Sequence, residues 1–167
     1  EQFGKLPIRP ATEAKFLKVE MADLREALEE EENSGSGGAG DKDESRTHKQ
    51  LQKALDKAKE RLQERMAKID DKADNTVYFE DIGVDQLFVD EAHNFKNLPY
   101  TSRMGNVKGL PHSSSKRAWD MYMKARVLQS EGKSKGVVFA TGTPISNTIA
   151  EAWTMMRYLQ LPLLESK

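Results

Sequence analysis

The chain has 167 residues, with 26 Lys and Arg against 27 Asp and Glu, three His and no Cys. That length holds one ordinary domain, or part of one with an appendage. Without cysteine there is no disulfide framework, thiolate zinc site or cysteine nucleophile, and the apolar runs are too short for a transmembrane or secretory segment.

The net charge of −1 hides an uneven distribution. About 45% of residues 1–74 are charged, against about 22% of residues 75–167. The first stretch reads as solvated helices and the second as a layered core. The sequence opens and closes inside patterned segments, without an initiating Met, and reads as a piece of a longer protein.

After a short leading segment, residues 1–11, Pro10 and Thr12 mark a helix start, with Glu13 favourable in its first turn. Leu17, Met21, Leu24 and Leu28 then fall on one helical face. The Gly/Ser-rich residues 33–40 form a flexible connector. A second helix is expected from about Ser45, with Leu51, Leu55, Ala58, Leu62, Met66 and Ile69 on one stripe. Two helices with single narrow stripes make residues 12–74 a charged antiparallel helical hairpin.

Residues 75–167 alternate between strands and helices. Leu87-Phe88-Val89 is a short apolar run, expected to be a strand covered on both faces. Ser113 to Ser115 offer an N-cap for a helix with Trp119, Tyr122, Met123 and Val127 inward, and Gly132 a C-cap. Val137 to Ala140 is a second buried strand. The residues Pro144 to Asn147 open a last helix, expected to bear Ile149, Trp153, Met156 and Leu159 on its inner face. Strand, helix, strand, helix is the grammar of an α/β fold with a parallel sheet.

Ligands of such sheets sit beyond the C-terminal ends of the strands, and both informative clusters fall there. The first strand runs into Asp90-Glu91-Ala92-His93, the second into Thr141-Gly142-Thr143-Pro144. A carboxylate at a buried strand end needs a cation or a donor. Two adjacent ones suit magnesium, which takes one or two carboxylates plus phosphate and water. The same three side chains would suit zinc by ligand type, but no second His or Cys cluster supports it.

Residues Leu87 to His93 resemble motif II, the DEAH form of Walker B, of superfamily 2 helicase-like ATPases. Residues Thr141 to Asn147 resemble motif III in its Swi/Snf-type version. The wording from Phe79 to Asn97 and from Gly136 to Gln160 is similar to large helicase/DNA-methylase-like proteins of bacterial phages and conjugative elements. The resemblance implies that residues 75–167 are the C-terminal portion of a RecA-like (P-loop NTPase) first lobe, with the hairpin as an insertion. It implies that Asp90 holds Mg2+ against the phosphates of ATP and that Glu91 orients the attacking water. His93 would connect the nucleotide site to motif III, where Thr141, Gly142 and Thr143 relay nucleotide state toward DNA.

One departure matters. Gly132-Lys133-Ser134 carries the tail of a phosphate loop, but Val127 stands where its first Gly must be, and a helix precedes it where a strand is needed. The implied function is therefore that of a larger cytoplasmic motor, an ATP-dependent DNA helicase or translocase. It would work with an upstream phosphate loop, a second RecA-like lobe and double-stranded DNA, and without a membrane. The fragment alone is not expected to hydrolyse ATP. Lys96, Arg103, Lys108, Lys116 and Arg117 make the stretch around 94–117 basic, which suits a loop tracking a phosphate backbone. The alternative is a non-catalytic DNA- or protein-interaction module built on a degenerate motor lobe.

Overall fold

In the computed structural model, residues 6–34, 42–69, 76–98, 115–130 and 136–165 are described. They divide into two compact units: residues 10–34 with 42–69, and residues 6–9, 76–98, 115–130 and 136–165.

The first unit is a helical hairpin of α1 (Pro10–Ser34) and α2 (Lys42–Ile69). Glu13 pairs with Arg65 at 2.8 Å and Glu32 with His48 at 3.4 Å, so the start of one helix meets the end of the other. The helices are antiparallel. Met21, Leu24, Ala27 and Leu28 of α1 pack on Leu51, Leu55 and Ala58 of α2, with Ala54 and Leu62 at the margin. The expected stripe is correct as far as Leu62 and wrong beyond it, because Met66 and Ile69 are about half exposed. Asn33 and Ser34, expected in the connector, still belong to α1, and the other connector residues lie outside the described set.

The second unit holds a parallel pair of strands, β1 (Leu87–Val89) and β2 (Val137–Phe139), in the register Leu87↔Val137, Phe88↔Val138, Val89↔Phe139. Between them come a 3₁₀ turn, Ala92–Phe95, and α3 (Lys116–Ser130); α4 (Ala150–Leu159) and a short α5 (Leu161–Glu165) follow. Gly136 sits at φ +141°, and a Cβ there would lie 3.1 Å from the Asp85 carbonyl, so the entry into β2 requires glycine. The 3₁₀ turn Phe79–Ile82 is tied to the segment before α1: the Phe79 amide donates to the Pro7 carbonyl at 2.9 Å, and the Arg9 guanidinium pairs with Asp81.

Three sequence expectations change here. β1 is covered on one face only: Leu87 and Val89 are buried, while Phe88 is 71% exposed opposite a half-exposed Val138. Just two strands are present among the described residues, and the face that carries Phe88 and Val138 meets solvent. α3 buries more than its predicted face, because Ala118, Met121, Lys124 and Ala125 go inside with Trp119, Tyr122 and Met123, whereas Val127 is only partly covered. α4 is turned relative to the expectation. It buries Thr154, Met155 and Tyr158, leaving Ile149, Trp153 and Met156 exposed.

The turn of α4 follows from its polar handles. The Tyr158 hydroxyl, fully buried, lies 2.9 Å from the Ala118 carbonyl and 3.0 Å from that of Phe95, and its proton serves both. Burial pushes the Tyr158 phenol above its usual range. Its ring packs edge-on to Tyr122 and tilted against Phe139, and the Gln129 amide donates to its carbonyl at 2.7 Å. The Ser115 hydroxyl accepts from the Ala118 amide at 3.4 Å, the predicted N-cap of α3. The predicted C-cap, Gly132, lies outside the described residues. Lys124, wholly buried in α3, is paired with Asp120 at 2.6 Å. Burial raises the Asp120 carboxyl against the opposing pull of that ammonium.

Candidate nucleotide and coupling site

The two predicted motifs meet because the ladder continues past the strands. The Ala140 amide donates to the Val89 carbonyl at 2.8 Å, and the Ala92 amide donates to the Ala140 carbonyl at 3.0 Å. Ala92 is fully buried at this crossing. The turn between is made by Glu91, whose φ of 51° lies in the left-handed region, unlike any other non-glycine among the described residues. Such a backbone costs on the order of 1–2 kcal/mol and is held only where its surroundings fix it. The Glu91 amide donates to Asp90 Oδ1 at 2.8 Å, which is part of that fixing.

The result is a solvent-facing cluster at the strand ends. Asp90 and Glu91 are exposed and His93 is half-exposed. His93 Nδ1 lies 3.1 Å from Glu91 Oε2 and 3.3 Å from the Thr141 hydroxyl. Thr141 Oγ1 also accepts the Thr143 amide at 3.2 Å, so its own proton is available to the imidazole. A protonated Nδ1 donates to Glu91; a bare Nδ1 accepts from Thr141. One ring nitrogen thus chooses between the acidic motif and the threonine turn. Gly142 is exposed, lacks a left-handed φ, and a Cβ there would meet nothing within 4 Å, so the turn itself does not demand glycine.

The predicted basic residues separate. Lys96 is largely buried: its ammonium lies 2.9 Å from Glu151 Oε2 and 3.0 Å from the Ser146 hydroxyl, a structural partnership rather than a free phosphate contact. Lys116 and Arg117 are exposed in the first turn of α3, with the Arg117 guanidinium 5.0 Å above the Phe95 ring. Arg103 and Lys108 lie outside the described residues.

Glu151 is the residue that sequence reasoning missed. Its carboxylate accepts the Ser146 amide at 2.6 Å and the Asn147 amide at 3.2 Å, besides the Lys96 ammonium. The Asn147 side-chain amide donates to its other oxygen at 3.2 Å. Burial works against the charged form, but these donors outweigh it and hold the Glu151 carboxyl down at about 2. The sequence Thr148-Ile149-Ala150-Glu151 has capping-box spacing, but no such box forms: the N-cap is Ile149, and Glu151 reaches farther back, to the Ser146 and Asn147 amides.

Among the described residues, no three acidic or His side chains converge as a self-sufficient metal cage, and no helix is long and apolar enough to cross a membrane.

No solved structure matches the chain. It is 34% identical over 91 residues to the Defense against restriction protein B of Escherichia phage P1, an alignment covering 53% of this chain and 4% of that protein. The chain thus spans only a small fraction of that relative's length. A family described as "probable helicase domain" matches residues 1–167 from end to end. The chain belongs to this probable helicase domain family.

Proposed function

We propose that this helicase-family chain is part of an ATP-dependent DNA helicase or translocase of superfamily 2, of the DEAH-box, Swi/Snf-type. In this reading residues 75–167 are the C-terminal portion of a RecA-like lobe and the hairpin is an insertion. The observation that carries it is the placement of His93 Nδ1 within 3.3 Å of Thr141 Oγ1 and 3.1 Å of Glu91 Oε2. This is the contact through which an acidic nucleotide motif would sense a threonine turn on the neighbouring strand.

The donor set fits magnesium in the manner of a phosphate-bound ion. Asp90 spends one carboxylate oxygen on the Glu91 amide and keeps the other toward solvent, so most ligands would come from phosphate and water. Bound ATP with Mg2+ would supply the phosphoryl group and its charge neutralisation. Glu91, exposed and next to that position, would orient the attacking water, and its pairing with His93 keeps the carboxylate aimed. His93, by exchanging Glu91 for Thr141, would pass the occupancy of the site to the turn 141–147. DNA is the expected track, and the likeness to a phage protein supports a source among bacterial mobile elements.

The test is ATP turnover by the full-length protein that carries this chain, with and without double-stranded DNA, beside its Glu91→Gln variant. DNA-stimulated turnover, reduced in the variant by about a hundredfold or more, is the expected result. A folded wild type that turns over no ATP would sink the motor reading and leave an interaction module built on a degenerate lobe.

A further inference from the structure

The segments carrying the two motifs are bridged twice, and the bridges differ in kind. Near the strand ends, the His93–Thr141 contact is 3.3 Å long, half-exposed and shared with Glu91. Farther in, Lys96 and Glu151 meet at 2.9 Å with about nine-tenths of each side chain covered. The second bridge is also braced at each end. The Lys96 amide donates to the His93 carbonyl at 3.3 Å, closing the 3₁₀ turn. Glu151 gathers the Ser146 and Asn147 amides, and Ser146 Oγ completes the ring by reaching Lys96.

We propose that Lys96 and Glu151 are positioning residues, a charged latch that holds the turn 141–147 in register with the Asp90-Glu91-Ala92-His93 segment. With that end of the turn fixed, the Thr141 end is the part left to respond to His93. The proposal rests on the motor reading for its consequence in turnover, though the latch itself does not need it. It also accounts for a lysine in the basic stretch that faces a carboxylate. A half-satisfied buried charge is costly, so loss of either partner disturbs the other and both effects are one. Arginine keeps the charge at position 96, and its fork can still serve a carboxylate.

Two readouts on the full-length protein test this. The first is hydrogen exchange of the peptide spanning 141–147, compared with that spanning 137–139, in Lys96→Met, Glu151→Gln, the double variant and Lys96→Arg. Exchange in 141–147 should quicken by about tenfold in the first three, with 137–139 unchanged and Lys96→Arg close to wild type. The second is turnover: DNA-stimulated kcat should fall by about tenfold in either single variant with KM for ATP unchanged, and the double variant should lose no more. Unchanged exchange, or losses that multiply in the double variant, would overturn the latch. So would a Lys96→Met variant whose main defect is weaker DNA binding with a flatter salt dependence, since Lys96 would then be a phosphate contact. Quickened exchange in a protein whose wild type has no turnover would uphold the latch and sink the motor reading instead.

Discussion

The hairpin and the α/β unit are held together by different kinds of interaction. The hairpin buries a single seam of Leu, Met and Ala contributed by residues spaced three and four apart, with the Glu13–Arg65 ion pair at one end and a His48–Glu32 contact at the other. The α/β unit buries aromatic rings whose polar ends reach partners far along the chain, such as Tyr158 on the carbonyls of Phe95 and Ala118. In the first unit each residue's fate follows from its neighbours on one helix. In the second it depends on what another element presents.

The largest expected effects test that contrast directly. Tyr158→Ala should cost about 3–5 kcal/mol, since it empties a ring site and strips a shared donor from two carbonyls. Leu55→Ala should cost about 2–4 kcal/mol, the loss of side-chain burial alone. Both tryptophans of the chain, Trp119 and Trp153, lie in the α/β unit, so their fluorescence follows that unit during urea unfolding. Far-ultraviolet circular dichroism is dominated by the long helices α1 and α2. Tyr158→Ala should move the fluorescence transition and Leu55→Ala the dichroism transition. If each substitution moves both signals equally, the two cores do not unfold separately.

The same contrast explains what could be read from sequence. The hairpin helices, β1, β2 and the Ser115 cap were legible because each rests on local spacing or a capping side chain. The inner face of α4 was not. Ile149, Trp153 and Met156 make a more apolar stripe than Thr154, Met155 and Tyr158, yet the second stripe is buried. Thr154 returns its hydroxyl to the Ala150 carbonyl at 3.2 Å, and Tyr158 finds two acceptors, so burial leaves neither polar group stranded. Hydropathy alone carries no account of such partners. Likewise the acidic and threonine clusters could be picked out as motifs, but the pairing of Lys96 with Glu151 spans 55 positions and emerges only in three dimensions.

Glu151 allows the contrast to be sharpened with pH. Its carboxyl is held at about 2, below the ordinary 4.5, so the unfolded chain binds its proton more readily than the folded one. The stability it contributes is complete above about pH 4.5 and is lost as pH falls toward 2. Thermal melts of wild type and Glu151→Gln should therefore differ most near neutral pH and converge over that window. A gap that stays constant with pH would mean that the negative charge is not what the Lys96 ammonium and the two amides hold.

The smallest effect belongs to the hairpin's ion pair, although its geometry resembles that of the latch. Glu13 and Arg65 lie 2.8 Å apart, but Arg65 is about one-third exposed, so water and salt share in the interaction. Arg65→Met should cost about 0.2–1 kcal/mol, and less in high salt. Glu13 has a second source of stabilisation, because it sits in the first turn of α1, where the helix dipole favours a negative charge. Glu13→Gln should consequently cost more than Arg65→Met, by a few tenths of a kcal/mol. Dichroism-monitored urea unfolding of the two variants decides it. Equal costs would assign the whole effect to the pair, whereas a larger loss for Arg65→Met, which keeps an unbranched apolar stem, would remove the helix-dipole contribution assigned to Glu13.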